Sequence, residues 1–320
     1  MAQGAEPTIT VNGTTFSNNN AMPFELAAFN AYQSTLYTGG KAREGKVSAT
    51  AIIGALKPLI YAITHAADDT PQEVSTLTAS SRGTALHKGL EEALIALDSG
   101  YIVEYRLDRE VNGWKVSGEL DVLTPDKQIK DLKTTSSYIL SKLKAEMETL
   151  DPSMSIEEMS QTVPTYYKYV MQLSIYKYLL NDPEVKPYAS ILFMIFHQGF
   201  EGFPLNSEQT FPLFPNEAVE EFLFDRIQSI KDHIKDGTLP NCTDVERGKT
   251  EPSYKLSRYS ANTTKWATVR GSKFNNASDF AAFVQAKGKI GDKEIIDEAK
   301  YFICDNWCKW SHVCTQHDGD

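Results

Sequence analysis

Residues 102–134 decide the fold: Ile102–Val111 (IVEYRLDREV), Asn112-Gly113, Trp114–Leu123 (WKVSGELDVL), Thr124-Pro125-Asp126-Lys127 and Gln128–Thr134 (QIKDLKT). Two alternating runs flank Asn-Gly, the dipeptide suited to a two-residue hairpin turn because both of its residues tolerate positive φ. The turn built on Pro125 and Asp126 sends the chain back into a third run. These residues predict a three-stranded antiparallel meander.

Helical spacing surrounds the meander. Upstream, Ser81 offers an N-cap to a helix from Gly83 to Leu97, with an apolar stripe of Leu86, Leu90, Ala93, Leu94 and Leu97 and a stop at Ser99-Gly100. The apolar stretch from Ala49 to Ala67 is interrupted by Gly54, Lys57, Pro58 and His65, which predicts a buried helix and no membrane span. Phe24, Ala27, Ala28 and Tyr32 give a helix from Pro23 to Tyr37, ended by Gly39-Gly40. Residues 1–20, polar and holding Asn18-Asn19-Asn20, predict a mobile arm. Downstream come helices from Ser137 to Leu150, from Thr165 to Leu180 behind Pro164, and from Glu217 to Lys235, with a buried strand from Ala189 to His197. Helix, three antiparallel strands, helix and a further strand make a mixed α/β core. The expected division is an N-terminal arm and helix (1–45), a core (46–236) and a Lys-rich, cysteine-bearing C-terminal module (237–320).

The chain has 320 residues, 41% hydrophobic and 23% charged, which is ordinary for a globular protein able to bury a core without disulfides. A net charge of −10 argues against coating nucleic acid by bulk electrostatics. From Arg247 to Lys273, however, Arg247, Lys249, Lys255, Arg258, Lys265, Arg270 and Lys273 face Glu251 alone, as in a local basic groove or a solvated Lys-rich loop. The first residues lack the basic stretch and apolar run of a secretory signal, so the expected location is the cytoplasm.

The chemistry centres on Asp131-Leu132-Lys133. Alternation puts the carboxylate and the ammonium on one face and Leu132 on the other. Folding about Pro125 brings Asp121 roughly opposite Lys130 or Asp131. Two carboxylates across a ladder repel, and a divalent ion is the natural counter-charge; oxygen ligands suit Mg²⁺ or Mn²⁺. Asp-x-Lys also reads as an ordinary ion pair on a strand. Gln172 and Tyr176, four apart, share a helix face that could reach a nucleotide or the acids. His87 reads as a ligand or as a packed imidazole, and Glu91 as helix solvation or a partner acid. Tyr166, Tyr167 and Tyr169 read mostly as core.

Together these residues resemble the RecB-type branch of the PD-(D/E)xK nucleases, which includes CRISPR-associated nucleases and phage recombination exonucleases. The family pattern is met by Gly83 and His87 on a helix, Asp121 in Gly118-Glu119-Leu120-Asp121, Asp131-Leu132-Lys133, and Gln172 with Tyr176. The likeness spans Val47 to Phe196, and the second acid is Asp131 where Glu is commoner. It implies a restriction-endonuclease-like core, with His87, Asp121, Asp131 and the Leu132 carbonyl as metal ligands and Lys133 as the catalytic cation. By the same resemblance the substrate is linear DNA with ends, cut by an exonuclease of phage recombination or DNA processing in the (host) cytoplasm. A recombination or single-strand-binding partner, and an oligomer, also fit it. A structure-selective endonuclease and a non-catalytic DNA-binding module are the rival readings.

Cys304, Cys308 and Cys314 lie close together, with Cys242 about sixty residues earlier. Such thiols in an intracellular protein point to a metal site rather than disulfides. The resemblance implies a 4Fe-4S cluster on the four cysteines, although the Cys-x3-Cys-x5-Cys spacing and a fourth cysteine after the core depart from the family. Zinc is the alternative, with His312 or His317 able to replace Cys242.

Overall fold

The computed structural model describes residues 8–36, 42–65, 71–97, 100–195, 206–260 and 264–318. Two compact units divide between Leu239 and Pro240.

The first unit opens with a hairpin where a mobile arm was expected. β1 (Thr8–Val11) and β2 (Thr14–Ser17) pair around Asn12 and Gly13, both at positive φ. Ile9 and Phe16 give the hairpin a buried side, packed with Ala27 and Ala31 of α1 (Phe24–Leu36) and with Val74 and Leu77. The helix therefore buries Ala27, Ala31 and Asn30, while Phe24 and Tyr32, which helped mark the helix in the sequence, are exposed. Small side chains let the helix axis come close to the hairpin, which large rings would prevent. Gly39-Gly40 lies outside the described residues.

β3 (Lys46–Ser48) leads into α2 (Ala49–Ile53), capped by the Ser48 hydroxyl, and then α3 (Leu56–Thr64). The single helix expected here is thus broken at Gly54-Ala55; Ala67 is outside the described residues. A 3₁₀ turn, Val74–Leu77, opens α4 (Thr78–Ala96). Ser81 is inside α4 and is not its cap: buried, it donates to the Asn30 carbonyl at 3.2 Å. The expected stripe is also looser, with Leu86, Leu90 and Leu94 half-buried and Ala93 and Leu97 exposed. Ser99 is not among the described residues.

β4 (Ile102–Val111) and β5 (Trp114–Leu123) have the bounds the alternation predicts, and Asn112 and Gly113 both take positive φ between them. β6 (Ile129–Thr135) completes the meander. There follow α5 (Ser137–Glu148), a short α6 (Ile156–Thr162) with a Ser155/Glu158 capping box that the periodicity does not reveal, and α7 (Pro164–Leu180). α7 is buried nearly all round, Tyr166 and Tyr167 included. β7 (Tyr188–Ile195) lies beside β6, and the expected end of this strand at His197 is outside the described residues. β8 (Asn206–Pro212), too polar to announce itself, covers the edge of β7, and α8 (Asn216–Asp236) closes the unit. Among the described residues the sheet has the order β3-β5-β6-β7-β8, with β4 also on β5. β3 runs parallel to β5 and β6 to β7, and the other pairs are antiparallel. The fold is a mixed α/β sheet flanked by helices.

The second unit contains α9 (Asp244–Arg247), β9 (Ser253–Ser260), β10 (Lys265–Thr268), α10 (Ala277–Lys287), β11 (Lys293–Asp297), α11 (Phe302–Asn306) and α12 (Thr315–Asp318). Its sheet is antiparallel, ordered β10-β9-β11. The basic run does not stay wholly basic on folding. Lys249 pairs with Asp244 at 2.7 Å, Lys255 with Asp297 at 2.9 Å and Arg258 with Asp292 at 2.7 Å, while Arg247 is buried over the Tyr301 ring. Acids from outside the run supply the missing charge. Among the described residues, no helix is long and apolar enough to cross a membrane.

Candidate active site

The site is a fork between two strands. β5 and β6 share the register pairs Val122↔Lys130 and Leu123↔Ile129 and then part, where one more pair would have set Asp121 against Asp131. In place of that pair, Asp121 Oδ2 accepts the Leu132 N–H at 2.7 Å. A charged acceptor makes this a strong bond, and it holds the strands at a defined separation once the ladder has ended. β6 gains its own support from β7, in parallel register over seven residues, Ile129 to Thr135.

Alternation along β6 then does what the sequence predicts. Lys133 Nζ lies 2.7 Å from Asp131 Oδ2, and Leu132 is buried on the opposite face. From α4, His87 Nδ1 comes to 3.3 Å from Asp121 Oδ2. Gly83, one turn before His87, lies where α4 passes β6; a Cβ there would be 3.4 Å from Thr134 Oγ1. From α7, Gln172 Nε2 lies 3.4 Å from Asp131 Oδ1 and donates to Tyr176 Oη at 2.7 Å. Gln172 and Tyr176 are both buried, so they orient the acid from behind.

Gly118 explains how Tyr176 fits. A Cβ at this position would sit 2.7 Å from Tyr176 Cε1 and 3.0 Å from Cδ1, nearer than packed atoms approach. Gly118→Ala should cost about 1–3 kcal/mol by overpacking, with Tm falling about 2–4 °C for each kcal/mol. Calorimetry checks this; an unchanged Tm would mean the ring has another place to go.

Charge at the fork is unbalanced. Burial pushes the Asp131 carboxyl up to about 6; Lys133 pulls it back and Asp121 pushes it further. Burial works to lower the Lys133 ammonium, but Asp131 and Asp121 outweigh it and hold it above the usual lysine value. His87 is likewise raised, because its bond to Asp121 and the two negative charges overcome burial. Asp131 Oδ2 has no partner along a hydrogen-bond direction, its contact with Lys133 being an ion pair. A buried carboxylate with a free lone pair, a second carboxylate beside it and an imidazole nearby form a donor set suited to a divalent cation. As placed, these groups pair with one another, and among the described residues no three His, Cys, Asp or Glu side chains enclose a common point.

One neighbouring acid, Glu104, is not evident from the motif. Glu104 falls opposite Asp121, between the pairs Val103↔Val122 and Tyr105↔Leu120, with φ at +50°. That backbone is costly for a residue other than glycine. Burial raises the Glu104 carboxyl, with Glu119, Glu91 and Asp121 adding to the shift. Counting back from Asn112-Gly113 along both strands would have found Glu104. Glu91, on α4, pairs with Lys88.

In the second unit all four cysteines are half-buried and none is in a disulfide. Cys304 lies in α11, and Cys308 and Cys314 bracket the 3₁₀ turn Ser311–Val313. Gln316 clasps the Cys242 backbone through two bonds of 2.9 Å, two residues beyond Cys314. Burial pushes the Cys308 thiol up, and Cys304 and Cys314 are near enough to add to the shift. Cys304, Cys308 and Cys314 are neighbouring thiols of the type that suits a cluster or a zinc ion, but among the described residues they do not enclose a common point. Of the alternative ligands, His312 is exposed, and the His317 side chain is outside the described residues.

No family model matches the sequence, and no curated protein matches it. Among solved structures, one described as SSO0001 is similar at 17% identity and a TM-score of 0.40, over 64% of this chain and 85% of that one. An alkaline exonuclease, LHK-Exo from Laribacter hongkongensis, is similar at 14% identity and a TM-score of 0.33, over 60% and 93%. Its complex with dAMP gives 14% and 0.32 over the same shares. Likenesses of this size do not bear on activity.

Proposed function

We propose that the chain is a divalent-metal-dependent deoxyribonuclease of the RecB-type PD-(D/E)xK class, working as an exonuclease on linear DNA in phage recombination or DNA processing. The observation that carries this reading is the fork, where Asp121 takes the Leu132 N–H while Asp131 and Lys133 share one face beside it. His87, Asp121, Asp131 and the Leu132 carbonyl would hold Mg²⁺ or Mn²⁺. Such an ion supplies a polarised phosphoryl oxygen and a water acidic enough to attack. Lys133, kept protonated by the two acids, offers N–H to phosphate oxygens as charge grows on them. Gln172 fixes Asp131, and Tyr176 fixes Gln172. Digestion of end-labelled linear duplex and single strand, beside a closed circle, tests the reading. Linear DNA should be shortened from its ends and the circle spared; a cut circle points to an endonuclease, and no cutting in either metal to a binding module.

An imidazole ligand suits Mn²⁺ better than the harder Mg²⁺. Activity should therefore be higher in Mn²⁺, and His87→Ala should lower it about tenfold or more while narrowing the difference between the metals. An unchanged rate and metal profile in steady-state assays would take His87 out of the site.

For the second unit we propose one 4Fe-4S cluster on Cys242, Cys304, Cys308 and Cys314, bracing the fold and taking no part in hydrolysis. Protein purified without oxygen should be brown and hold about four irons and four sulfides per chain. One zinc in colourless protein would replace the cluster, and no metal at all would remove the site.

A further inference from the structure

The sheet of the second unit has two unlike faces. On one, Tyr254 stacks on Phe280 of α10 with ring centres 5.7 Å apart, and Leu256 is buried beneath the helix. On the other, alternation and register gather Lys255, Ser257 and Tyr259 of β9 with Trp266 of β10 and Lys293 of β11. Tyr259 and Trp266 are direct cross-strand partners with ring centres 5.7 Å apart, yet they are 49% and 42% exposed. Lys293 sits opposite the small Ser257 and reaches across it, placing its ammonium 4.2 Å from the Trp266 ring centre.

Charge on this surface is of one sign. Asp297, on the same face, is neutralised by Lys255, and Asp292 by Arg258. Arg270, in the turn that follows β10, is exposed. Half-exposed rings, one of them carrying a lysine ammonium against it and both bordered by cations whose nearby acids are already paired, suit a polyanion that also presents flat apolar faces. Single-stranded nucleic acid is such a polyanion; in a duplex the base faces are already stacked on one another.

We propose that this face binds single-stranded DNA, with successive bases on Tyr259 and Trp266 and phosphates on Lys293 and Arg270. The choice of DNA rests on the nuclease reading, and the surface adds a grip on the strand independent of the cutting residues. The test is fluorescence anisotropy of the full chain with labelled oligo(dT) of roughly a dozen nucleotides, in buffer without added divalent cation. Tyr259→Thr and Trp266→Leu keep strand-forming side chains but remove the rings, and each should weaken binding about tenfold. Trp266→Phe should restore it. Lys293→Gln should lower the slope of log affinity against log salt by about 0.7. The proposal is overturned if both ring-less variants, folded by circular dichroism, bind like wild type, or if wild type binds duplex better than single strand. Cutting assays on the same proteins separate the two ideas. Ring-dependent binding without cutting sinks the nuclease reading alone, and cutting with ring-independent binding sinks the platform alone.

Discussion

Lys133→Ala should lower DNA cutting by about 10²–10³-fold or more, while the chain still binds divalent cation and DNA. The lysine lies 2.7 Å from Asp131, whose side chain is 2% exposed, and its own side chain is 28% exposed on the open side of the fork. One end of the contact is thus buried and the other reaches solvent. Removing a transition-state cation lowers turnover far more than ground-state affinity. It also leaves Asp131 buried without its counter-charge, which should cost about 3 kcal/mol in metal-free protein, the low end for a broken buried pair because Lys133 is partly solvated. Added metal should recover part of that loss. Single-turnover cutting and thermal melts with and without Mn²⁺ measure both. Near-normal turnover would reduce Asp131-Leu132-Lys133 to an ion pair on a strand.

Asp121→Ala should lose cutting and metal binding together, and stability as well. Its carboxylate meets His87 and holds the Leu132 N–H. An abandoned buried N–H costs about 1–3 kcal/mol. In wild type, metal at a hundred times its dissociation constant should raise stability by about 2.7 kcal/mol, an increment the variant should not show. Asp121→Asn separates the roles: its amide oxygen still accepts from Leu132, so stability returns while cutting and the metal increment stay absent. If Asp121→Ala kept the increment in melts with Mn²⁺, the fork would not be the metal site.

The meander and the placement of Asp131 beside Lys133 were legible because both depend on short-range rules. Asn112-Gly113 allows one turn geometry, so the bounds of β4 and β5 follow from it, and a period of two puts Asp131 and Lys133 on one side. The parting of β5 and β6 was not legible, since nothing in the intervening turn says where a ladder stops. Ser81 has the chemistry of a cap, but a helix start is decided by what precedes it, here the 3₁₀ turn Val74–Leu77. The spacing of Phe24, Ala27, Ala28 and Tyr32 found α1 but not its buried face, since close packing selected the small Ala27 and Ala31 while Asn30 bonds Val74 and Thr78. The partial neutralisation of the basic run was not legible, since Asp292 and Asp297 are more than thirty residues from their partners.

The two acids of the fork are carried by different parts of the scaffold. Asp121 is fixed by its place in the hairpin with β4, and Asp131 by seven residues of parallel register with β7. Between them, β5 and β6 share two register pairs and a four-residue turn. In a simple hairpin, one residue gained or lost in the turn would slip the strand and send Asp131 and Lys133 to the opposite face. Here β7 anchors the register of β6, so an insertion or deletion around Pro125 and Asp126 is absorbed at the tip. A change in the length of that turn should therefore leave the spacing of Asp121 from Asp131 undisturbed.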